Sequence, residues 1–140
     1  MAHQPGIIPV SWDGKTLGSW TTYLEGVYVE YMWGYEEALK YMNGYRAKVA
    51  NKAPIITPRG IHRSPSQDQY FKGALFLQTL RAVVDDDKAW WKLMRETYNE
   101  FKYKNIMTED IVSFFNKKPE RTGLRSSIST CATPICRRSN

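Results

Sequence analysis

Trp20-Thr21-Thr22-Tyr23-Leu24-Glu25-Gly26-Val27-Tyr28-Val29-Glu30-Tyr31 decides how the rest of this chain is read. Trp20, Tyr23, Leu24, Val27, Tyr28 and Tyr31 fall at i, i+3, i+4, i+7, i+8 and i+11, so a helix gathers them into one apolar stripe. Strict alternation, the mark of a half-buried strand, is absent. The spacing predicts a helix from a cap near Ser19 to Gly34, with the stripe turned to the core.

Working outward, the turn Trp33-Gly34-Tyr35 is short enough to lay a second helix beside the first. That helix is expected over about 36–50, with Ala38, Tyr41, Met42, Tyr45 and Val49 as its apolar face. Glu36 and Glu37 suit the positive end of its dipole. Pro54, Pro58, Gly60 and Pro65 then break the periodicity from Asn51 to Ser66, which reads as a loop wrapping toward the functional face. A third helix over about 68–84 has a wide apolar arc through Phe76, Leu77, Leu80, Val83 and Val84, as a central helix does. Asp85-Asp86-Asp87 ends it and caps the next. Three carboxylates in a row could suggest a cation, but a cap with an acidic first turn accounts for them at less cost. The fourth helix, about 87–103, has a stripe at Trp90, Leu93, Met94, Thr97, Tyr98 and Phe101, with Lys102 and Lys104 at its negative end. Thr108 is the expected cap of a fifth, with Glu109 and Asp110 in its first turn and Ile111, Val112, Phe114 and Phe115 as its apolar residues. Five amphipathic helices make an all-α domain.

The 140 residues suffice for one core, and 24% charged with 14% aromatic residues is a globular composition. Met1–Val10 has neither the basic start nor the apolar core of a signal peptide, and no run is long enough for a membrane span. The net charge is +6. Pro119–Asn140 carries Arg121, Arg125, Arg137 and Arg138 against Glu120, a net +3, so the tail holds half the bias. It contains no dense basic block with interleaved aromatics, so nucleic-acid or anionic-membrane binding is not expected. Cys131 and Cys136 also lie there, without the further ligands a zinc site needs.

The residues from Trp20 to Lys118 resemble the alanyl-aminopeptidase (gluzincin) family of zinc metallopeptidases. The likeness rests on W-T-T-Y-L-E-G-V-Y-V-E-Y, on Glu36–Arg46 (E-E-A-L-K-Y-M-N-G-Y-R), on the P-I-I-x-P segment Pro54–Pro58, on Tyr70-Phe71-Lys72-Gly73 and on Tyr103–Lys118 (Y-K-N-I-M-T-E-D-I-V-S-F-F-N-K-K), in one order. It implies the helical C-terminal part of a thermolysin-like catalytic domain over 19–118, preceded by an irregular segment 1–18. The family removes N-terminal residues from peptides with a Zn2+-activated water held by H-E-x-x-H and by the Glu of W-x-x-E-G. Tyr70 corresponds to the family's Y-x-K-G tyrosine, a catalytic residue whose hydroxyl stabilises the oxyanion. Glu25 corresponds to a carboxylate that steadies the zinc site from outside its ligand set.

The ligands themselves are missing. Lys15-Thr16-Leu17-Gly18-Ser19 stands where W-x-x-E-G belongs, and Gly18 takes the place of the ligand. No H-E-x-x-H occurs, and His3 and His62 are isolated. No metal ligand is therefore assigned, and this chain alone is expected neither to hold zinc nor to act on a peptide. A helical module that binds peptides without cleaving them is the competing reading. The tail 119–140 departs from the family altogether. Read from the third base of the Ser126 codon, one choice of permitted codons gives F-D-Q-Y-L-R-Y-A-D-L-P-T-L-E, a family-like continuation. This points to a frameshift near Lys118–Pro119, which the nucleotide sequence decides.

Overall fold

The computed structural model describes residues 10–11, 15–52, 55 and 67–117. The expected all-α class holds. Five helices carry the fold: α1 (Lys15–Trp33), α2 (Tyr35–Gly44), α3 (Asp68–Val84), α4 (Asp87–Phe101) and α5 (Thr108–Asn116). A 3-10 turn, Tyr45–Lys48, extends α2. The only extended pairing among the described residues is a parallel bridge between β1 (Val10–Ser11) and β2 (Asn105–Ile106). The tail 119–140, its cysteines, both histidines and most of the loop 51–66 lie outside the described residues.

The chain divides into two compact units, one spanning Asp13–Thr79 and the other Met1–Trp12 with Leu80–Asn140. The first is built on α1 and α2, joined by Gly34 alone. Gly34 has φ 93° and ψ 168°, a conformation open essentially to glycine, and this single residue reverses the chain. Its N–H still bonds to the Glu30 carbonyl, while its own carbonyl accepts from the Ala38 N–H, so both helix ends are satisfied across the turn. Gly26 permits a close approach beside it: a Cβ there would lie 2.5 Å from the Met42 sulfur.

Trp20, Tyr23, Ala38, Met42, Tyr45, Ala74 and Leu77 form the core of this unit. The expected stripe of α1 is only half buried. Trp20 and Tyr23 lie inside and Val27 is half-buried, but Leu24, Tyr28 and Tyr31 face solvent. The Tyr41 of α2 is likewise exposed, while Val49 is half-buried beyond the 3-10 turn. Asp68, 1% exposed, closes the unit by accepting from the N–H groups of Ala50 (2.8 Å) and Asn51 (2.7 Å). It thereby ties the end of the 3-10 turn to the start of α3.

In the second unit the α4 stripe packs as its spacing requires. Trp90, Leu93, Thr97 and Phe101 are buried with Leu80, Ile106, Ile111 and Phe115. The Thr97 hydroxyl donates to the Leu93 carbonyl at 2.8 Å, so its burial leaves no donor unpaired. Phe101 meets Phe114 edge-on at 5.4 Å. The acidic triplet acts as a helix junction. Asp85 leaves α3 at φ 50°, Asp86 caps α4 by accepting from the Ala89 N–H at 3.0 Å, and Asp87 pairs with Arg81 at 2.9 Å. The arc of α3 is narrower than expected: Leu77 and Leu80 are buried, Phe76 and Val84 half-buried, and Val83 exposed.

Two helix starts differ from expectation. α1 begins at Lys15, four residues before Ser19, so Lys15–Gly18 is helical rather than irregular. Ser19 serves α3 instead of capping α1. α5 does begin at Thr108, but Met107 holds the cap position, and the Asp110 carboxylate accepts the Met107 N–H at 2.7 Å.

Candidate functional site

The first unit brings together the residues that sequence reasoning singled out. The N-terminal half of α1 crosses the N-terminal half of α3 at unusually short range, because both carry small residues at the crossing. The Ser19 hydroxyl donates to the Gln69 carbonyl at 2.6 Å. Gly73 sits against Ser19 so tightly that an added Cβ would lie 2.4 Å from the Ser19 Cβ. One residue before Ser19 on α1 and one turn before Gly73 on α3, Tyr70 lies over Gly18, with ring carbons 2.8 and 2.9 Å from where a Gly18 Cβ would be. The phenol ring therefore occupies the space that a side chain at position 18 would need.

Tyr70 is 38% exposed, and its hydroxyl makes no hydrogen bond among the described residues. The lack of a side chain at Gly18 makes room for its ring. Such a phenol can donate to an oxygen anion presented from outside. Lys72, two residues on, is engaged elsewhere: its ammonium donates to the Asn51 side-chain carbonyl at 2.7 Å.

Glu25 stands two turns along α1 from Gly18, about 10 Å by helical rise. It accepts from the Tyr45 hydroxyl at 2.9 Å and the Tyr41 hydroxyl at 3.3 Å. This cluster was not foreseen. Tyr41 and Tyr45 at i and i+4 on one helix predicted a shared face, but nothing in their spacing named the carboxylate they meet. The Tyr41 and Tyr45 rings contact edge-on at 5.3 Å, and Tyr45 continues to Phe71 at 5.1 Å. Lys48 places its ammonium 4.9 Å from the Phe71 centroid, a cation–π contact at the rim of the same cluster. Burial, reinforced by Tyr41 and Glu25, drives the Tyr45 phenol far above its ordinary pKa, so it remains a donor to Glu25. Glu25 thus bonds to two phenols while remaining exposed to solvent.

The arrangement does not fit a zinc ion. A carboxylate at position 18 would have to displace the Tyr70 ring, and the residue present has no donor atom. Among the described residues no three His, Cys, Asp or Glu side chains converge as a metal requires. Glu25, bonded to Tyr41 and Tyr45, belongs to no such group among the described residues. What these residues can do is present a hydroxyl at Tyr70 and a carboxylate bonded to two phenols at Glu25.

No protein-family model matches this chain, nor does any curated protein or solved structure.

Proposed function

We propose that this chain is the helical part of a zinc-aminopeptidase-type catalytic domain that has lost its metal site, and that it does not hydrolyse peptides on its own. The enzymes it resembles trim N-terminal residues from peptide substrates. The observation that carries the reading is the juxtaposition of Gly18 and Tyr70. These two positions, fifty-two residues apart in the sequence, are the ones that the resemblance assigns to a zinc ligand and to the oxyanion donor. Their contact across two packed helices supports the reading. The Glu25 carboxylate, seven residues further along the same helix and bonded to Tyr41 and Tyr45, is consistent with an inherited supporting role.

On this reading the loss is chemical and local. A glycine at the ligand position removes one ligand, and the absence of H-E-x-x-H from the sequence removes two more together with the general base. The phenol alone cannot supply the activated water, so no catalytic step is assigned to it. A zinc titration by calorimetry, paired with an alanyl- or leucyl-anilide assay, tests the proposal. The expected result is no saturable zinc binding and no release of anilide above the blank. Metal-dependent turnover that Tyr70→Phe abolishes would overturn the loss of activity. The ancestry is tested separately by the genomic DNA flanking the reading frame. Finding H-E-x-x-H and W-x-x-E-G encoded in a displaced frame supports it, and DNA with neither refutes it.

A further inference from the structure

Asn43 and Gly44 close α2, and neither belongs to the core or to the Gly18–Tyr70 contact. Both face solvent, and the Asn43 side-chain amide makes no hydrogen bond among the described residues. Gly44 differs from the other described glycines. Gly34 is required by its positive φ, and Gly18, Gly26 and Gly73 are required because a neighbour fills the place of a side chain. At Gly44 a Cβ would meet nothing within 4 Å, and φ is −58°, an ordinary helical value. Neither backbone shape nor packing calls for glycine here, although glycine costs a helix about 1 kcal/mol relative to alanine.

What a glycine after an asparagine does change is chemistry. The amide nitrogen of the following residue can attack the asparagine side-chain carbonyl carbon, and a Cβ on that following residue obstructs the approach. Gly44 removes the obstruction. The helix opposes the attack, because it directs the Asn43 side chain toward the N-terminus and away from the Gly44 nitrogen. Reaction therefore requires the last turn to open. That turn is a weak place in α2. The helix tightens there into the 3-10 segment Tyr45–Lys48, whose hydrogen bonds have poorer geometry, and the Tyr45 N–H is directed at both the Met42 and Asn43 carbonyls.

We propose that Asn43–Gly44 is a site of spontaneous deamidation and isomerisation, gated by opening of the end of α2. The Gly44 nitrogen loses its proton to base and bonds to Asn43 Cγ, and the side-chain nitrogen takes a proton from solvent and leaves as ammonia. The cyclic imide then adds one water. Breaking its bond from the Gly44 nitrogen to Cγ gives aspartate; breaking the bond to the main-chain carbonyl carbon gives isoaspartate. One amide and one water become one carboxyl group and one ammonia, with no redox change. Isoaspartate lengthens the backbone by a methylene two residues before Tyr45, which is buried and bonds to Glu25 at 2.9 Å. Aspartate sets a carboxylate at the negative end of the α2 dipole. Either product weakens the turn that carries Tyr45 to Glu25. The proposal does not rest on the peptidase ancestry.

Ageing the full chain in mildly alkaline buffer, beside the same chain in urea, tests it. Peptide mapping by mass spectrometry and labelling by an isoaspartyl methyltransferase supply the readout. Isoaspartate is expected at Asn43 in the folded chain, forming more slowly than in urea and faster as pH rises. Asn51, Asn99 and Asn105, followed by Lys52, Glu100 and Ile106, should keep their amides over the same period. Gly44→Ala should nearly abolish conversion without lowering the thermal midpoint. The aged wild type should melt below the fresh protein, and Asn43→Gln aged alongside it should not. A folded chain whose Asn43 stays intact after the urea sample has converted would overturn the proposal. So would equal rates in the two samples, or conversion of Gly44→Ala as fast as the wild type.

Discussion

Glu25 and Asp87 show how two carboxylates of one protein acquire different tasks from their neighbours. Glu25 accepts from two phenols, and the raised pKa of the buried Tyr45 links that contact to alkaline pH. The unfolded chain loses the Tyr45 proton near the ordinary value of 10.0, before the folded chain does. The stabilisation is therefore complete below about pH 10 and is lost as pH rises further. Thermal melts from pH 7 to 11 should show the wild type losing stability above pH 10 faster than Tyr45→Phe, with the gap between them narrowing. Asp87 runs in the opposite direction. Its hydrogen bond to Arg81 holds its carboxyl below the usual range; the accompanying desolvation opposes this, and the Arg81 charge adds to it. This contribution is present above about pH 4 and is lost as pH falls further. Asp87 is itself open to solvent while Arg81 is buried and stacked 5.2 Å from the Trp91 centroid. Solvent screening therefore limits the pair, and Asp87→Asn should cost about 1 kcal/mol at neutral pH and nothing in acid, read from urea midpoints. The sequence showed Asp85-Asp86-Asp87 as a junction because caps follow from local spacing. It did not show the Arg81 partner, whose place depends on the turn at Asp85.

At the scale of elements, α1 and α3 meet through Gly18, Ser19 and Gly73, and the two glycines differ in what surrounds them. Gly73 faces the Cβ of Ser19, which its bond to the Gln69 carbonyl holds in place. Gly73→Ala should cost about 1–3 kcal/mol through overpacking, even after the helix-propensity gain of alanine. Gly18 faces the Tyr70 ring, a half-open side chain that can swing outward. Gly18→Ala should therefore remain within about 1 kcal/mol of the wild type, the strain and the propensity gain offsetting each other. Chemical denaturation of the two variants side by side checks the ordering. The helices themselves were legible: α3 spans Asp68–Val84 as its pattern required, and the α4 stripe is buried in the order expected. The start of α1 was not. Ser19 reads locally as a cap, and a glycine before it reads as a break. In the fold Gly18 is helical, its missing side chain lets Tyr70 of α3 lie against it, and Ser19 donates its hydroxyl to that helix.

For the whole molecule, no described helix is long and apolar enough to cross a membrane, yet aromatic surface remains uncovered on the α1–α2 hairpin. Replacing exposed aromatics with polar residues changes stability little, within about 0.5 kcal/mol per site. Tyr31→Ser with Trp33→Ser should thus leave the thermal midpoint in place and shorten retention on a hydrophobic column. Unchanged retention would mean that the hairpin is not the accessible apolar surface. Helix number, helix register and the acidic cap were determined by the sequence alone, because 3.6-residue periodicity and capping chemistry act within a few residues. Which half of the α1 stripe is covered, which glycine admits a neighbour and which carboxylate meets a phenol were decided only by tertiary structure. Each depends on atoms supplied by a helix distant in sequence, and an apolar stripe cannot state how much of itself a neighbour will reach.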